Sequence, residues 1–161
     1  KQPNIFIELI NSLHKNNWNY VLGGGTENKA YNDEIYKKAK ETEIKFLGFV
    51  KYPDSFKLYE KSKIYVNTSR IDSDGLPNAF IQSWLNGVIV LSLNHNPNNW
   101  LHQHNIGFCA EGNFKKLSNK LNYLINNPIE LEKMSSNAIE FSKNLFSNSN
   151  ILKKYITLFQ Q

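Results

Sequence analysis

The sequence predicts an α/β fold, a three-layer sandwich in which helices cover both faces of a parallel β-sheet. Two observations support this prediction. Short β-rich runs alternate with amphipathic helical segments over the first two thirds of the chain, and 161 residues suffice for one domain with a real core but not for two full-sized ones. Strands that alternate with helices are joined by right-handed crossovers, and such sheets bind ligands beyond the carboxyl ends of their strands.

The first half of the chain supplies three strands and three helices. The segment "PNIFIELINSLHKNN" repeats apolar residues at helical spacing, with Pro3 in its first turn. Strands are predicted at "WNYVLGGG", which stops at three glycines, at "IKFLGFV" and at "KIYVNTS". A second helix is predicted from about Asn28 to Glu41, and a third at "SFKLYEKS", with Asp54 as its N-cap.

The second half continues the alternation and ends in helices. The stretch "SDGLPNAFIQSWLNGV", residues Ser73–Val88, predicts a helix with Pro77 in its first turn, and "VIVLSLN" and "NIGFCAEG" predict strands. From about Phe114 the pattern is helical through "FKKLSNKLNYLINN". A long helix opening at Pro128 and a last helix from about Asn150 follow.

Composition indicates a folded protein without a membrane span. No apolar run approaches the roughly 20 residues that cross a bilayer, no signal-like segment precedes the first helix, and the single Cys109 excludes a disulfide framework. We therefore expect a cytoplasmic, reducing setting. The net charge of +5 is scattered along helices, which favours a solvated surface over a nucleic-acid-binding face.

The helix start after the third strand is the strongest candidate site. Gly75 permits a close backbone approach or a positive φ, and the free amides of residues 75–78, with the positive end of the helix dipole, can bind an anion. Asn78 and Gln82 lie four residues apart and share a helix face. The alternative is an ordinary helix start with an incidental glutamine, and spacing alone leaves both open.

Other candidate motifs are weak. "GGGTEN" lacks both the dinucleotide fingerprint and the ending of a P-loop, although its glycines permit close approach to the strand end. His95, His102 and His104 are not spaced as metal ligands, and Cys109 is expected to be a small buried residue. No nucleophilic triad and no pair of carboxylates for acid–base chemistry is recognisable.

The string "DGLPNAFIQSW", followed by "NGVIVLS", resembles the signature of retaining nucleotide-sugar glycosyltransferases of the GT-B fold (glycosyltransferase family 4-like, glycosyl transferases group 1). The segments "VLGGG", "IKFLGFV", "LYEKSKIYVNTS", "IGFCAEG" and "MSSNAIEF" follow in the family's order, so the resemblance covers essentially the whole chain. It implies that residues 1–161 are the Rossmann-like C-terminal half of a GT-B enzyme, the nucleotide-sugar-binding domain, lacking its first strand. A helix that begins almost at residue 1 also suggests a fragment of a longer enzyme.

The resemblance also implies roles for the loop after the third strand. Asp74 stands where the family has the first of two glutamates, which bonds donor-sugar hydroxyls, and Asp72 competes with it for that place because of about two extra residues. The backbone around Gly75, Leu76 and Pro77 would lie against the sugar and the diphosphate.

Further roles follow from the same resemblance. Lys1 and Asn78 would bind the phosphates, and Phe49 and Val50 would flank the nucleobase through their backbone. Gln82 replaces the second glutamate, which holds the ribose hydroxyls; an amide can still accept hydrogen bonds from a diol. The resemblance implies no metal or other cofactor and assigns no catalytic residue.

The implied activity is transfer of a sugar from a nucleoside-diphosphate sugar, UDP- or GDP-linked, in the synthesis of a bacterial cell-surface polysaccharide or glycoconjugate. The resemblance also implies that an N-terminal domain of the same protein binds the acceptor and that the isolated chain is inactive. Peripheral membrane association of the full enzyme remains an open alternative. Two other functions remain open: a flavodoxin-like or receiver-type partner-binding module, and a non-transferase relative with the GT-B fold, such as a nucleotide-sugar epimerase. A receiver is disfavoured because glycine, serine and asparagine, not acidic residues, follow the strands.

Overall fold

The computed structural model describes residues 1–14, 16–70 and 75–146, and within them helices and strands alternate as predicted. No helix in this part of the chain is long and apolar enough to cross a bilayer. The elements are α1 (Pro3–Asn11), β1 (Tyr20–Gly23), α2 (Lys29–Lys40), β2 (Ile44–Gly48), α3 (Asp54–Glu60), β3 (Ile64–Asn67), α4 (Asn78–Leu85), β4 (Ile89–Ser92), a 3-10 turn (Pro97–Asn99), α5 (Trp100–Gln103), β5 (Gly107–Cys109), α6 (Phe114–Ile125) and α7 (Pro128–Phe146).

Side-chain caps define the start of two helices. Asn28 and Asn113 cap α2 and α6 by accepting hydrogen bonds from the backbone N–H groups of Tyr31 (3.0 Å) and Lys116 (2.9 Å). The prediction of Asp54 as an N-cap is wrong. Asp54 is the first residue of α3, and its carboxylate pairs with Lys57 at 2.7 Å instead of capping the backbone.

Two further differences concern the later part of the chain. The short helix α5 and the turn before it had not been predicted. The helix predicted from about Asn150 lies outside the described residues.

All strand pairs among the described residues are parallel, which confirms the predicted α/β class. They form two sheets, β1-β2 and β3-β4-β5, where one sheet was expected. Registers are set by pairs such as Tyr20 with Ile44 and Val90 with Gly107. Because the pairing is parallel within each sheet, the loops after its strands emerge at one edge.

The core has two parts. The larger cluster packs α1, α2 and α6 against the strands, and the smaller one joins α4, α5 and α7 to β4 and β5. All four residues of β4 are buried, as expected for a central parallel strand. The smaller cluster fixes α4, the helix that follows the candidate loop, through Phe80 and Trp84, both fully buried.

Candidate functional site

A cleft of about 1160 Å³ runs along β1 and β3 and extends to the loops that follow β1, β2 and β3. Three of the predicted site residues, Lys1, Phe49 and Val50, line it together with Gly24 and Ser69. They come from three separate loops and the start of the chain, so the fold gathers residues that are far apart in sequence.

The glycine run after β1 forms a turn against the end of β2. The N–H of Gly24 donates to the carbonyl of Gly48 at 2.7 Å, and Gly24 has a φ of 143°, which side chains rarely permit. Asn32 closes the turn, since its amide accepts from the N–H of Thr26 (3.1 Å) and donates to the Thr26 carbonyl (2.6 Å). The turn is therefore held in place while its backbone stays open to the cleft.

Phe49 presents an aromatic ring to solvent directly after β2. Its residue surface is 75% exposed, which is unusual for a phenylalanine. A methyl group added at Gly25 would lie 3.6 Å from the Phe49 backbone N and Cβ, so the glycine turn and Phe49 are neighbours. An exposed aromatic residue beside a glycine turn can accommodate a flat ring such as a nucleobase.

Helix α4 begins one residue later than predicted. Pro77 is not in the first turn but is the N-cap residue, with φ −65° and an extended ψ of 132°, and its carbonyl accepts from the N–H of Phe80 at 2.9 Å. Within the described residues the N-cap side chain makes no capping hydrogen bond, and no acidic residue occupies the first turn. The N–H of Asn78 thus remains available to an anion.

The loop entering α4 is anchored on one side and open on the other. Leu76 packs on the smaller core cluster, while Gly75 is exposed and a methyl group added there would meet no atom of the described residues within 4 Å. The sequence offers two reasons for a glycine at position 75, a positive φ and a close approach of a ligand to the backbone. Gly75 does not have a left-handed φ, so only the close approach remains. Asp72 and Asp74, the two candidates for the acidic position, lie outside the described residues.

Gln82 lies on the second turn of α4 and is half-buried. Its backbone carbonyl accepts from the Asn86 amide at 2.8 Å. Its side-chain amide has no hydrogen-bond partner within residues 1–14, 16–70 and 75–146, so in the described structure its polar atoms are free to meet a ligand.

A buried polar network under the site was not recognised from the sequence. The amide of Asn94 donates to the carbonyl of Ser69 at 2.7 Å, and Nε2 of His95 donates to the carbonyl of Arg70 at 2.6 Å. Asn67, 1% exposed, accepts from the N–H of Ser69 at 3.1 Å. These bonds fix the backbone that leads from β3 towards α4. The sequence does carry a signal for this network. The segments "IYVNTS" and "VLSLNH" both end in polar residues, and the strands that they form end side by side at one edge of the sheet.

The histidines have separate structural surroundings. His95 holds a carbonyl, Nε2 of His102 accepts from the N–H of Cys109 at 3.1 Å, and His104 stacks on Phe141 with ring centroids 4.6 Å apart. Over the described ranges, no group of three or more metal-ligating side chains comes together.

Cys109 and Tyr59 are among the described groups whose pKa is raised. Cys109 is buried, as predicted, and burial raises the pKa of its thiol. Burial raises the pKa of Tyr59 in the cleft to about 12. Both groups are protonated at neutral pH and suit packing and hydrogen bonding better than nucleophilic attack.

The family model described as "Glycosyl transferases group 1" matches residues 1–141. A poly(ribitol-phosphate) alpha-N-acetylglucosaminyltransferase of Staphylococcus aureus is 24% identical over 143 residues, which cover 87% of this chain and 28% of that protein. The chain therefore spans less than a third of the length of this curated relative.

Solved structures share the fold at low identity. The crystal structure of Anabaena HepE in complex with UDP has a TM-score of 0.81 and 20% identity, covering 98% of this chain and 44% of that one. The C-terminal domain of the glycosyl transferase group 1 family protein LpcC from Francisella tularensis has a TM-score of 0.73 and 22% identity, covering 92% of this chain and 80% of that domain.

Proposed function

The chain belongs to the glycosyl transferases group 1 family, and on that premise we propose that residues 1–161 are the nucleotide-sugar-binding, C-terminal half of a retaining GT-B glycosyltransferase. The observation that carries the proposal is the convergence of Lys1, Phe49, Val50 and Ser69 on one cleft at the carboxyl edge of the strands. Ligands of open α/β sheets bind at this edge.

The nucleoside binds at the β1 and β2 loops. Phe49 and Val50 flank the base, beside the glycine turn that leaves the backbone accessible. The half-buried amide of Gln82 accepts hydrogen bonds from the ribose diol, which needs acceptors and not a formal charge. The UDP complex of the structurally similar HepE supports uridine as the base to test first.

The diphosphate binds between Lys1 and the start of α4. Lys1 supplies a cation, the Asn78 N–H supplies a hydrogen-bond donor, and the positive end of the α4 dipole favours negative charge at the same place. As the sugar departs, negative charge grows on the diphosphate, and fixed donors of this kind stabilise it. No metal or other cofactor is needed for this step.

The donor sugar lies against the loop at residues 74–77. Asp74, or Asp72 in its place, bonds the sugar hydroxyls, and Gly75, Leu76 and Pro77 contribute backbone surface. The acceptor binds on an N-terminal domain of the same protein, in a cytoplasmic enzyme of polysaccharide or glycoconjugate synthesis that can associate with the membrane surface. The isolated chain therefore transfers no sugar, and sugar transfer by the chain alone would contradict this division of labour.

A titration with nucleotides tests the site. We expect UDP to shift the backbone amide resonances of Phe49, Val50, Gly75, Leu76 and Asn78 in the isotopically labelled chain, because these groups lie against the ligand. GDP is the comparison for base preference, and uridine alone reports the contribution of the diphosphate.

The internal control is the amide of Ile129, in the first turn of α7, which should not move. If neither UDP nor GDP shifts the expected resonances at millimolar concentration, the proposed site is wrong. A set of shifts confined to the region of Trp100 and Phe141 would place the ligand elsewhere and contradict the assignment.

Gln82 variants test the ribose contact. Gln82→Leu is expected to weaken UDP binding about tenfold, since one or two neutral hydrogen bonds are lost, and Gln82→Glu to tighten it up to about tenfold through charge-assisted bonds. Titration calorimetry measures both. Gln103→Leu, an exposed glutamine on α5, is the matched control and should bind UDP unchanged. Unaltered affinity in both Gln82 variants would exclude the ribose contact.

A further inference from the structure

Arg70 is the single arginine among the 19 lysine and arginine residues of the chain. It lies in the loop after β3, it is exposed, and the preceding residue, Ser69, lines the cleft. Arginine carries a planar fork of N–H donors that matches a carboxylate or phosphate group, whereas lysine is a flexible point charge. An arginine at this place, in a chain that otherwise relies on lysine, therefore indicates a task that an ammonium group performs less well.

Two side chains from the loop after β4 hold the backbone at Arg70. Nε2 of His95 donates to the carbonyl of Arg70 at 2.6 Å, and the amide of Asn94 donates to the carbonyl of Ser69 at 2.7 Å. His95 is 8% exposed, and its own backbone N–H donates to the hydroxyl of Ser92 at 2.8 Å. The main chain that carries the Arg70 side chain is thus fixed before any ligand arrives, which lowers the entropy cost of binding one.

Buried polar residues are concentrated at this edge of the sheet. Among the described residues seven polar side chains are buried, and five of them lie at the carboxyl ends of β3 and β4 or in the loops just beyond: Asn67, Thr68, Ser69, Ser92 and His95. A buried polar group costs free energy unless it is hydrogen-bonded, and apolar residues would pack a sheet edge equally well. Such a concentration is typical of the support beneath a binding site.

A second cation is tied to the same stretch of backbone. The hydroxyl of Thr68 donates to the carbonyl of Gln2 at 2.8 Å. Gln2 follows Lys1, which lines the cleft, and Thr68 lies two residues before Arg70. The contact therefore brings the chain at Lys1 to the chain at Arg70. Together the two residues offer an oxyanion an ammonium and a guanidinium group, which differ in geometry.

We propose that Arg70 binds an oxyanion beside the cleft, together with Lys1, and that Asn94 and His95 are the positioning residues that hold Arg70 in place. The oxyanion is the diphosphate of the nucleotide sugar or a carboxylate on the donor sugar, since a guanidinium group binds both in the same bidentate manner. The inference rests on the proposed function for the identity of the ligand, but its geometry stands on the hydrogen bonds around Arg70.

Titration calorimetry with inorganic pyrophosphate, UDP, UDP-glucose and UDP-glucuronate tests the role of Arg70. We expect Arg70→Gln to weaken binding of all four about tenfold or more, because a charge-assisted pair is lost, and Arg70→Lys to lie between the two. Weakening confined to UDP-glucuronate would identify the oxyanion as the sugar carboxylate. Lys133→Gln, which removes an exposed cation on α7, is the matched control and should bind all four unchanged.

The outcomes separate this inference from the nucleotide proposal. Unchanged affinity of Arg70→Gln for every probe that the chain binds overturns the inference and leaves the nucleotide proposal standing. Binding of pyrophosphate that depends on Arg70, without binding of UDP, supports the inference and contradicts the nucleotide proposal. A chain that binds none of the four probes contradicts both.

The positioning role of His95 is tested through Arg70. His95→Leu removes the donor to the Arg70 carbonyl, whereas His95→Gln keeps an N–H donor. We expect His95→Leu to weaken pyrophosphate binding severalfold, His95→Gln to recover part of the loss, and the effect of His95→Leu to disappear in the Arg70→Gln background, because one residue acts through the other. Circular dichroism checks that each variant is folded, and Asn94→Ala takes the place of His95→Leu in the same cycle if that variant does not fold. An equal loss in both backgrounds, or no loss in either, overturns the positioning role.

Discussion

Replacing Gly107 by alanine is expected to lower the free energy of unfolding by about 3 kcal/mol, the upper end of the usual range for overpacking. Gly107 pairs with Val90 across β5 and β4. An alanine Cβ at this position would lie 2.2 Å from the carbonyl oxygen of Val90 and 2.7 Å from Cδ2 of Leu101. The first of these atoms belongs to the backbone of the fully buried strand β4, so the clash cannot be relieved by turning a side chain. Urea unfolding followed by circular dichroism measures the loss.

Gly75→Ala is the matched control for this substitution. A methyl group at Gly75 meets no atom of the described part of the chain within 4 Å and the backbone there is not left-handed, so stability should change by less than about 0.5 kcal/mol. Any effect of Gly75→Ala should instead appear in ligand affinity, because the open space at Gly75 is where the donor sugar is proposed to lie. Equal destabilisation by the two substitutions would contradict the packing argument for Gly107.

The alternation of strands and helices could be predicted because each main element carries its own local signal. β4 is a continuous apolar run, and α6 and α7 repeat apolar residues at helical spacing. Helix α5 carries no such signal. It has four residues, it follows Asn98 and Asn99 at φ 52° and 58°, and its start is held by the Asn96 side chain accepting from the N–H of Leu101 at 3.0 Å. Because that contact exists only once the turn has folded, the sequence alone does not predict α5.

The division into two sheets could not be predicted from local patterns either. Nothing in "NYVLG" or "KIYVN" states which edge of a strand is paired, since alternation and apolarity report only which faces are covered. The pairing partner is a tertiary property, and here it shows in the half-exposed side chains of β1 and β3.

The sequence offers candidate site residues where a motif lies within one loop, and it offers none where contacts join distant loops. The amides entering α4 follow from the order of glycine and proline in "DGLPN". The support beneath them joins Ser69 to Asn94 and Arg70 to His95, residues 25 positions apart in each case. From its spacing His95 can be weighed only as a metal ligand, whereas in the fold its ring satisfies a backbone carbonyl, as most hydrogen-bonding side chains bind backbone or water.

Trp84→Ala is expected to destabilise the chain by about 4 kcal/mol, as for other fully buried large aromatic residues. The Trp84 ring is 0% exposed and lies 5.7 Å from Phe80 and 5.3 Å from Phe141, measured between centroids. Trp84→Phe keeps an aromatic ring in the same place. Its cost should be well below that of alanine, because the indole Nε1 has no hydrogen-bond partner within the described ranges and the substitution breaks none. Thermal and urea unfolding distinguish the two variants.

The variants Trp84→Ala and Trp84→Phe also distinguish the role of α4 in stability from its role in UDP binding. An eight-residue helix such as α4 is not stable alone, so its position depends on the packing of its buried face, above all Trp84. If the amides at the start of α4 bind the diphosphate, Trp84→Ala should weaken UDP binding under conditions where the chain is still folded, while Trp84→Phe should bind nearly as the unsubstituted chain does. A folded Trp84→Ala variant with unchanged UDP affinity would show that α4 does not form the phosphate site. Lys1 and the loops after β1 and β2 would then have to bind the nucleotide without it.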